Sequence, residues 1–124
     1  MQISRDQNAS VTVRHVEPGE IRIGRQTLRR NVVVTPDRDI REWPTNNVAR
    51  LDEHDVARLL EMEPEMVVLG TGWKPVVPPR ALVFAFARRG IGFESMTTPA
   101  ACRTFNILVQ EERRAAAVLI ISEP

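Results

Sequence analysis

The fold is decided by residues 90–107, which read GIGFESMTTPAACRTFNI. Residues 92–96 are short and preceded by glycine, as is typical of a strand bounded by turns. Thr98 is a favoured helix N-cap, and Pro99 suits the first helical position because proline lacks an amide hydrogen that would be unpaired there. Apolar side chains then recur at helical spacing through residues 98–110. The stretch predicts a strand, a tight turn and a helix in immediate succession.

A second strand and helix precede this stretch. Residues 66–69 are wholly apolar and run into Gly70, which is typical of a strand covered on both faces. Residues 80–89 contain the alternating run LVFAFA, but the prolines before them and Gly90 after them favour a helix. A strand–helix–strand unit joins parallel strands. We therefore expect the two strands to be parallel neighbours.

The first half of the chain has the two-residue period of β-structure. Residues 10–16 alternate, residues 24–25 suit a two-residue hairpin turn, and residues 28–35 continue as a strand. Residues 38–47 are polar and irregular, and Trp43 within them is expected to cover one edge of the core.

The remaining elements are a short helix and a last strand. Asp52 is a candidate N-cap, and Leu51 and Val56 have the spacing of a hydrophobic staple. Pro64 is expected to stop this helix. Residues 115–122 contain AAAVLII, an uninterrupted apolar run that belongs in the middle of a sheet.

Length and composition place the chain among ordinary globular proteins. With 124 residues, 43% of them hydrophobic, and a net charge of +1, we expect one domain over residues 1–124. The polar start MQISRDQNAS resembles no secretory signal, and no apolar run is long enough to span a membrane. The sequence therefore predicts a cytoplasmic protein without membrane insertion.

Four arginines lie near the predicted hairpin, namely Arg22, Arg25, Arg29 and Arg30. They could form a basic patch, but no aromatic residues are interleaved with them and the chain is almost neutral. A solvated strand face is the favoured interpretation, and no nucleic-acid partner is expected.

A candidate binding site lies at the carboxyl ends of the two parallel strands. The loop Gly70, Thr71 and Gly72 and the helix start at Thr98 should converge there, where ligands bind in open α/β sheets. Glycines and free helix-start amides favour a small anion. The alternative is a tight structural turn, since a lone Gly-Thr-Gly is a weak motif.

Two polar residues of the same helix could complete this site. Arg103 and Asn106 share a stripe at helical spacing and can donate hydrogen bonds to an anion. The alternative is a solvated helix face, on which Arg103 pairs with a carboxylate.

Catalytic residues are not apparent. Cys102 is the only cysteine and falls on the apolar stripe of its helix, so a structural role is expected. Neither histidine lies in the second half of the chain, and Glu94 is the only carboxylate between Glu65 and Glu111. No local acid–base pair can form there, and neither a cofactor nor a metal ion is expected.

The sequence resembles the Mth-type domain family of unknown function, which includes the third mitochondrial complex I assembly factor and the adipogenesis-associated Mth-type domain protein. Three segments carry the resemblance: VVLGTGWKP, GIGFESMTTPAACRTFN and RRAAAVL. The resemblance implies matching characteristic positions at Gly70, Thr71, Gly72, Met96, Thr98, Ala101, Cys102, Arg103, Thr104 and Asn106.

The resemblance also implies a fold. It is a three-layer α/β domain with a mixed central sheet, flanking helices and an additional N-terminal β hairpin. The last strand is expected to lie antiparallel to its neighbours, whereas counting strand–helix–strand units would make it parallel.

Two functions follow from these observations. The first is a non-enzymatic interaction module resembling an assembly factor, which binds a protein partner. The second is a small-molecule or anion-binding protein, conceivably an enzyme, with its site at residues 70–72 and the helix start at Thr98.

Overall fold

The computed structural model describes residues 11–122, which contain eight strands and three α-helices. The strands are β1 (Val13–Glu17), β2 (Glu20–Ile23), β3 (Gln26–Leu28), β4 (Val32–Val34), β5 (Ile40–Glu42), β6 (Met66–Gly70), β7 (Gly92–Met96) and β8 (Ala115–Leu119). The helices are α1 (Glu53–Leu60), α2 (Arg80–Ala87) and α3 (Thr98–Gln110), and a short 3-10 turn occupies Val48–Arg50. The polar start that we interpreted as lacking a secretory signal lies outside the described residues.

The strands form two sheets. Strands β1, β2 and β3 form a small antiparallel sheet, which includes the predicted turn at residues 24–25 because Ile23 pairs with Gln26. The large sheet has the order β5-β4-β8-β6-β7. Strands β6 and β7 are parallel, as the strand–helix–strand pattern predicts.

The large sheet is the middle of three layers. Along β8, Ala115, Ala117 and Leu119 belong to one buried cluster, and Ala116 and Val118 belong to another on the opposite face. The first cluster is shared with α3 and the small sheet, and the second with α1 and α2. The three-layer α/β fold with an N-terminal hairpin is therefore confirmed.

Strand β8 corrects one expectation. It pairs antiparallel with β4 but parallel with β6, so the expectation that it is antiparallel to both neighbours is wrong. The strand follows β7 through α3, and such a right-handed crossover returns the chain parallel to the strand it left. Glu65 fixes this register, because its carboxylate accepts hydrogen bonds from Arg113 Nε at 3.1 Å and Arg114 N at 3.0 Å. The Arg113 hydrogen bond is the main cause of the lowered pKa of Glu65.

Two predicted segments of the first half are also corrected. Residues 28–35 are not one strand, because the chain leaves β3 and starts β4 in the other sheet. Asn31 marks the crossing: its Oδ1 accepts hydrogen bonds from Ile121 N at 2.7 Å and Ser122 N at 3.0 Å. Residues 38–47 contain β5, whose three residues are too few to show an alternating pattern.

Other local predictions are confirmed. Asp52 caps α1 in a capping box with Asp55, and Leu51 and Val56 are both buried. The helix at residues 80–89 forms as α2, two residues shorter than predicted. Trp43 is buried against the α1 and α2 side of the sheet.

Candidate functional site

The carboxyl end of β6 and the start of α3 meet at a buried hydroxyl. Thr98 is fully buried, and its Oγ1 accepts a hydrogen bond from Gly72 N at 2.8 Å and donates one to Ile120 O at 2.6 Å. Thr98 N donates to Gly72 O at 2.7 Å. We call Gly70, Thr71, Gly72, Thr98 and Ile120 the Thr98 junction.

Both glycines of the Thr98 junction are required by its geometry. A Cβ atom at Gly70 would lie 2.9 Å from Thr98 Oγ1 and 3.0 Å from Thr98 Cα, closer than van der Waals contact. Gly72 has a φ of 96°, which L-residues with a side chain rarely adopt. The Gly-Thr-Gly segment thus lets a strand end approach a helix start closely.

The role of Thr98 differs from the one expected. The N-cap of α3 is Thr97, Thr98 is the first helical residue, and Pro99 follows it. Because Thr97 occupies the N-cap position, the Thr98 hydroxyl is not needed for capping. It instead links the start of α3 to Gly72 and Ile120. The prediction that Thr98 caps the helix is therefore wrong.

The predicted anion site has few free donors at the Thr98 junction. Thr71 N donates to Met96 O at 2.8 Å, and the amides of Gly72 and Thr98 donate to the partners given above. An anion would have to displace these internal hydrogen bonds, at the cost of leaving buried acceptors unpaired. Anion binding at residues 70–72 and Thr98 stays a prediction.

The two helix residues assigned to the same site have different partners. Asn106 holds the small sheet: its Oδ1 accepts from Val13 N at 2.8 Å and its Nδ2 donates to Val13 O at 3.0 Å. Arg103 is exposed and forms no salt bridge with any residue between 11 and 122. Arg103 and Asn106 thus have different environments.

Cys102 is part of the core, as its helical stripe predicts. It is buried beside Ala101 and Phe105, and burial raises the pKa of its thiol from 9.0 to about 12. Both histidines are exposed and lie on other elements, His15 in β1 and His54 in α1. A neutral thiol without an imidazole neighbour is a poor nucleophile.

One group of side chains on the small sheet has the geometry of metal ligands. Ligand atoms of His15, Glu17 and Glu20 lie within 4.8 Å of one another. Glu20 is already paired with Arg29, whose Nη2 is 3.2 Å from its carboxylate. Since His15 and Glu17 are exposed and Arg29 competes for Glu20, we assign no metal centre there.

The expected basic patch on the small sheet is partly neutralised. Arg29 pairs with Glu20, and Arg30 Nη1 lies 3.7 Å from Glu42. Arg22 and Arg25 are exposed and unpaired among the described residues, and together with Arg14 they line an open hollow.

A surface that sequence reasoning did not single out lies along β7. Val77 is 85% exposed and Phe84 is 57% exposed. They line an open hollow of about 370 Å³ together with Pro78, Arg80, Val83, Phe93 and Ser95. We call this hollow together with the strand the β7 edge surface.

The backbone of β7 is available along this surface. Within residues 11–122, β7 pairs with β6 and with no other strand. Gly92 N and Met96 O both bond toward the β6 side, to Glu65 O and Thr71 N. Because hydrogen-bonding direction alternates along a strand, the N–H and C=O groups of Phe93 and Ser95 point to the open edge.

The sequence from β6 to the end of α3 is mostly basic, although its one acid lies in β7. Residues 66–110 contain five basic residues, Lys74, Arg80, Arg88, Arg89 and Arg103, against the single acid Glu94. None of the five forms a salt bridge with another described residue. The sequence does carry one signal for the β7 edge surface. The apolar residues of α2 occupy more of the helix circumference than a stripe that faces the core needs, so some of them must be exposed.

Comparison with known proteins identifies the family. The model of the family described as "Protein of unknown function (DUF498/DUF598)" matches residues 13–120. The chain therefore belongs to this family.

Several curated proteins are similar over part of their length. A protein of Danio rerio named NADH dehydrogenase [ubiquinone] 1 alpha subcomplex assembly factor 3 is 45% identical over 62 residues, which are 50% of this chain and 36% of that protein. The human protein of the same name is 41% identical over 69 residues, 56% of this chain and 38% of its own length. The "13 kDa major membrane protein" of Francisella tularensis is 34% identical over 62 residues, 50% of each chain. The matched part of this chain thus spans half or less of these relatives.

Solved structures agree with the fold. A Xanthomonas campestris protein has a TM-score of 0.80 at 31% identity, covering 89% of this chain and 83% of that one. A Bordetella pertussis protein described as a Mth938-like domain has a TM-score of 0.79 at 21% identity, covering 98% and 90%. Together with the family match and the assembly factor relatives, these structures confirm the resemblance to the Mth-type domain family. Among the described residues, none of the helices has the length and apolar character needed to cross a bilayer.

Proposed function

We propose that this chain is a non-enzymatic, assembly-factor-like module that binds a protein partner. Relatives named as assembly factors support this role. The observation that carries the proposal is the β7 edge surface, where Val77 and Phe84 expose large apolar side chains beside the open edge of β7. Clustered exposed apolar residues rimmed by polar ones are typical of interaction sites.

The residues with catalytic chemistry support a binding role over an enzymatic one. The Cys102 thiol is buried with a raised pKa, and the exposed histidines lie on other elements. The alternative of a small-molecule or anion site at residues 70–72 and Thr98 has less support, because three of its amides already donate hydrogen bonds inside the protein.

A cytoplasmic location, without membrane insertion and without nucleic acid, remains part of this proposal. One relative is named a membrane protein, so location needs a direct measurement. Fractionation of native cells into cytoplasm and membrane, with detection of the tagged chain, provides it. Recovery mainly in the membrane fraction after a high-salt wash would contradict the cytoplasmic location.

The test is affinity capture from native cells with a surface variant. Val77→Glu combined with Phe84→Glu should abolish capture of a partner that the wild-type chain recovers, because each change places a charge in the apolar contact. Gln26→Glu combined with Thr27→Glu is the matched control, since it adds the same charge at exposed positions of the small sheet.

The controls decide the outcome. The control variant should capture the partner as the wild type does, and both variants should keep the wild-type melting temperature. A chain that recovers no protein above background, or a partner captured equally by all three proteins, would refute the proposal.

A further inference from the structure

We propose that the open edge of β7 accepts an extended segment of the partner as a sixth strand, and that this segment alternates apolar with acidic side chains. The inference rests on the proposed function and names the chemistry of its partner. Three features of the β7 edge surface support it: the direction of the backbone groups, the residues on each face of the strand, and the sign of the surrounding charge.

The backbone edge has the form that strand addition requires. Phe93 and Ser95 direct their N–H and C=O groups away from β6, so an added strand could form up to four main-chain hydrogen bonds with them. Strand β7 has five residues, so a segment of similar length would cover it. Main-chain pairing of this kind supplies affinity, and pockets for alternate side chains supply specificity.

On one face of the sheet, the added strand would meet apolar side chains. Phe93 is held in place by stacking on Phe86, with ring centroids 5.5 Å apart. Val77 and Phe84 line the same hollow as Phe93 and add to the apolar surface on this face. Side chains of the added strand that point to this face should therefore be apolar.

On the other face, the added strand would meet α3. Thr104 Oγ1 lies 3.4 Å from Met96 Sδ, which brings this side of α3 against β7. Arg103 and Ile107 flank Thr104 on the helix, and both are exposed. Glu94 shares this face of β7 with Met96. The added strand should therefore place a carboxylate beside the Arg103 guanidinium, which forms no salt bridge within residues 11–122, and not directly opposite Glu94.

The charge of the surface favours an acidic segment over a second copy of this chain. Arg80 lines the hollow, and Lys74, Arg88 and Arg89 lie in the segments that border α2. Two copies pairing edge to edge would bring these like charges together. A mostly basic surface instead attracts an acidic partner and disfavours basic ones.

The test uses the full chain and a synthetic peptide of about seven residues that alternates valine with glutamate, a length that covers β7. Binding is measured by calorimetry, and the contact is located by backbone amide resonances and hydrogen exchange. We expect a dissociation constant below about 1 mM, which is a binding free energy of roughly −4 kcal/mol. The amides of Phe93 and Ser95 should become protected, and those of β3 should not change.

Two control peptides separate strand addition from general attraction. Replacing every glutamate with lysine should weaken binding at least about tenfold, because the surface is basic. Grouping the same valines and glutamates in blocks should also weaken binding, because one face of the strand would then carry both kinds of side chain.

Protein variants test the charge argument. Arg80→Glu combined with Arg103→Glu should weaken peptide binding at least about tenfold. The control is Arg14→Glu combined with Arg22→Glu, at exposed arginines of the small sheet that form no salt bridge within residues 11–122. It should change peptide binding less than about twofold. Unchanged melting temperatures would show that both double variants fold.

Three results would overturn the inference. They are an absence of binding at the stated concentration, binding without protection of Phe93 and Ser95, and concentration-dependent self-association that protects the same two amides. If capture of a native partner depends on Val77 and Phe84 while the peptide fails, strand addition is wrong and the proposed function stands. If the peptide binds but no partner is captured from cells, the proposed function fails and the strand-accepting edge remains.

Discussion

Two regions of the β6–β7 pair, the Thr98 junction at the carboxyl end of β6 and the open side of β7, differ in where their backbone polar groups form hydrogen bonds. At the Thr98 junction, a buried hydroxyl and the neighbouring amides all bond within the protein. Along the β7 edge surface, backbone groups and large apolar side chains face outward. The most distinctive motif of the sequence thus lies in the region that holds the fold together, and the region suited to recognition carries no motif.

This comparison shows that a distinctive motif does not by itself mark a binding site. Gly70, Gly72 and Thr98 are specific residue types because a close backbone approach and a positive φ leave few alternatives. An interaction surface on a strand edge uses main-chain groups, which every residue type except proline supplies. Four substitutions, three of them with matched control variants, can test this division between stability and recognition.

The largest expected loss of stability distinguishes two phenylalanines of α2, Phe86 and Phe84. Phe86→Ala should destabilise the protein by about 3–5 kcal/mol, because a fully buried ring that stacks on Phe93 is removed. Phe84→Ala, two residues away and 57% exposed, should change stability by less than about 0.5 kcal/mol. Urea unfolding measures both. A similar loss in the two variants would mean that Phe84 belongs to the core and not to a recognition surface.

At the Thr98 junction, Thr98→Val should cost about 2–4 kcal/mol. The shape of the side chain is nearly preserved, but Gly72 N and Ile120 O lose their partner in a buried site, at about 1–3 kcal/mol each. Thr104→Val is the control on the same helix, because the hydroxyl of half-buried Thr104 donates only to the weak acceptor Met96 Sδ within residues 11–122. Thermal unfolding of both variants measures the difference. Equal melting temperatures would show that the buried Thr98 hydroxyl does not stabilise the fold.

Gly70→Ala should destabilise the protein by about 1–3 kcal/mol, because the new Cβ would overlap Thr98 and force the strand end and helix apart. Gly92→Ala on β7 is the control: its Cβ would lie 3.3 Å from Met66 Cβ at an exposed position, which is a tight contact but not the overlap found at Gly70. Denaturant unfolding with both variants measures the effect. A Gly70 variant as stable as the Gly92 variant would remove the packing reason for this glycine.

Cys102 gives the smallest effect at neutral pH. Cys102→Ser should cost about 1 kcal/mol, because a hydroxyl replaces a thiol in an apolar site. The native thiol should also resist iodoacetamide near pH 8, since its pKa is raised to about 12 by burial. Rapid alkylation of the folded protein would place Cys102 at the surface.

The same thiol predicts a dependence of stability on alkaline pH. The unfolded thiol ionises near its ordinary pKa of 9.0 and the folded thiol only near 12. The contribution of this thiol to the free energy of unfolding is therefore fully present below about pH 9 and is lost as the pH rises toward 12. Cys102→Ala should lack this component of the slope, and identical slopes in the two proteins would contradict the assigned burial.

The sequence by itself determined the elements with strong local signals. Helical periodicity indicated α3, capping and staple signals indicated α1, uninterrupted apolar runs indicated β6 and β8, and a short segment preceded by glycine indicated β7. The order of strand and helix predicted the parallel pairing of β6 with β7. The apolar run at residues 115–122 correctly indicated a central strand. The helical stripe of α3 also indicated the burial of Cys102. These inferences succeeded because each depends on residues that are close together in the chain.

Only the tertiary structure decided what depends on distant partners. Asn106 bonds Val13, 93 positions away, and the Thr98 hydroxyl joins Gly72 to Ile120, so neither contact has a local signature. The small β5 and the break at Asn31 exist because the chain passes from one sheet to the other. Whether β7 lies at an edge depends on the order of all five strands in the sheet. Long-range hydrogen bonds and strand order leave no trace in the hydrophobic periodicity of the sequence. They therefore decided which polar groups bond within the protein and which are available to a partner.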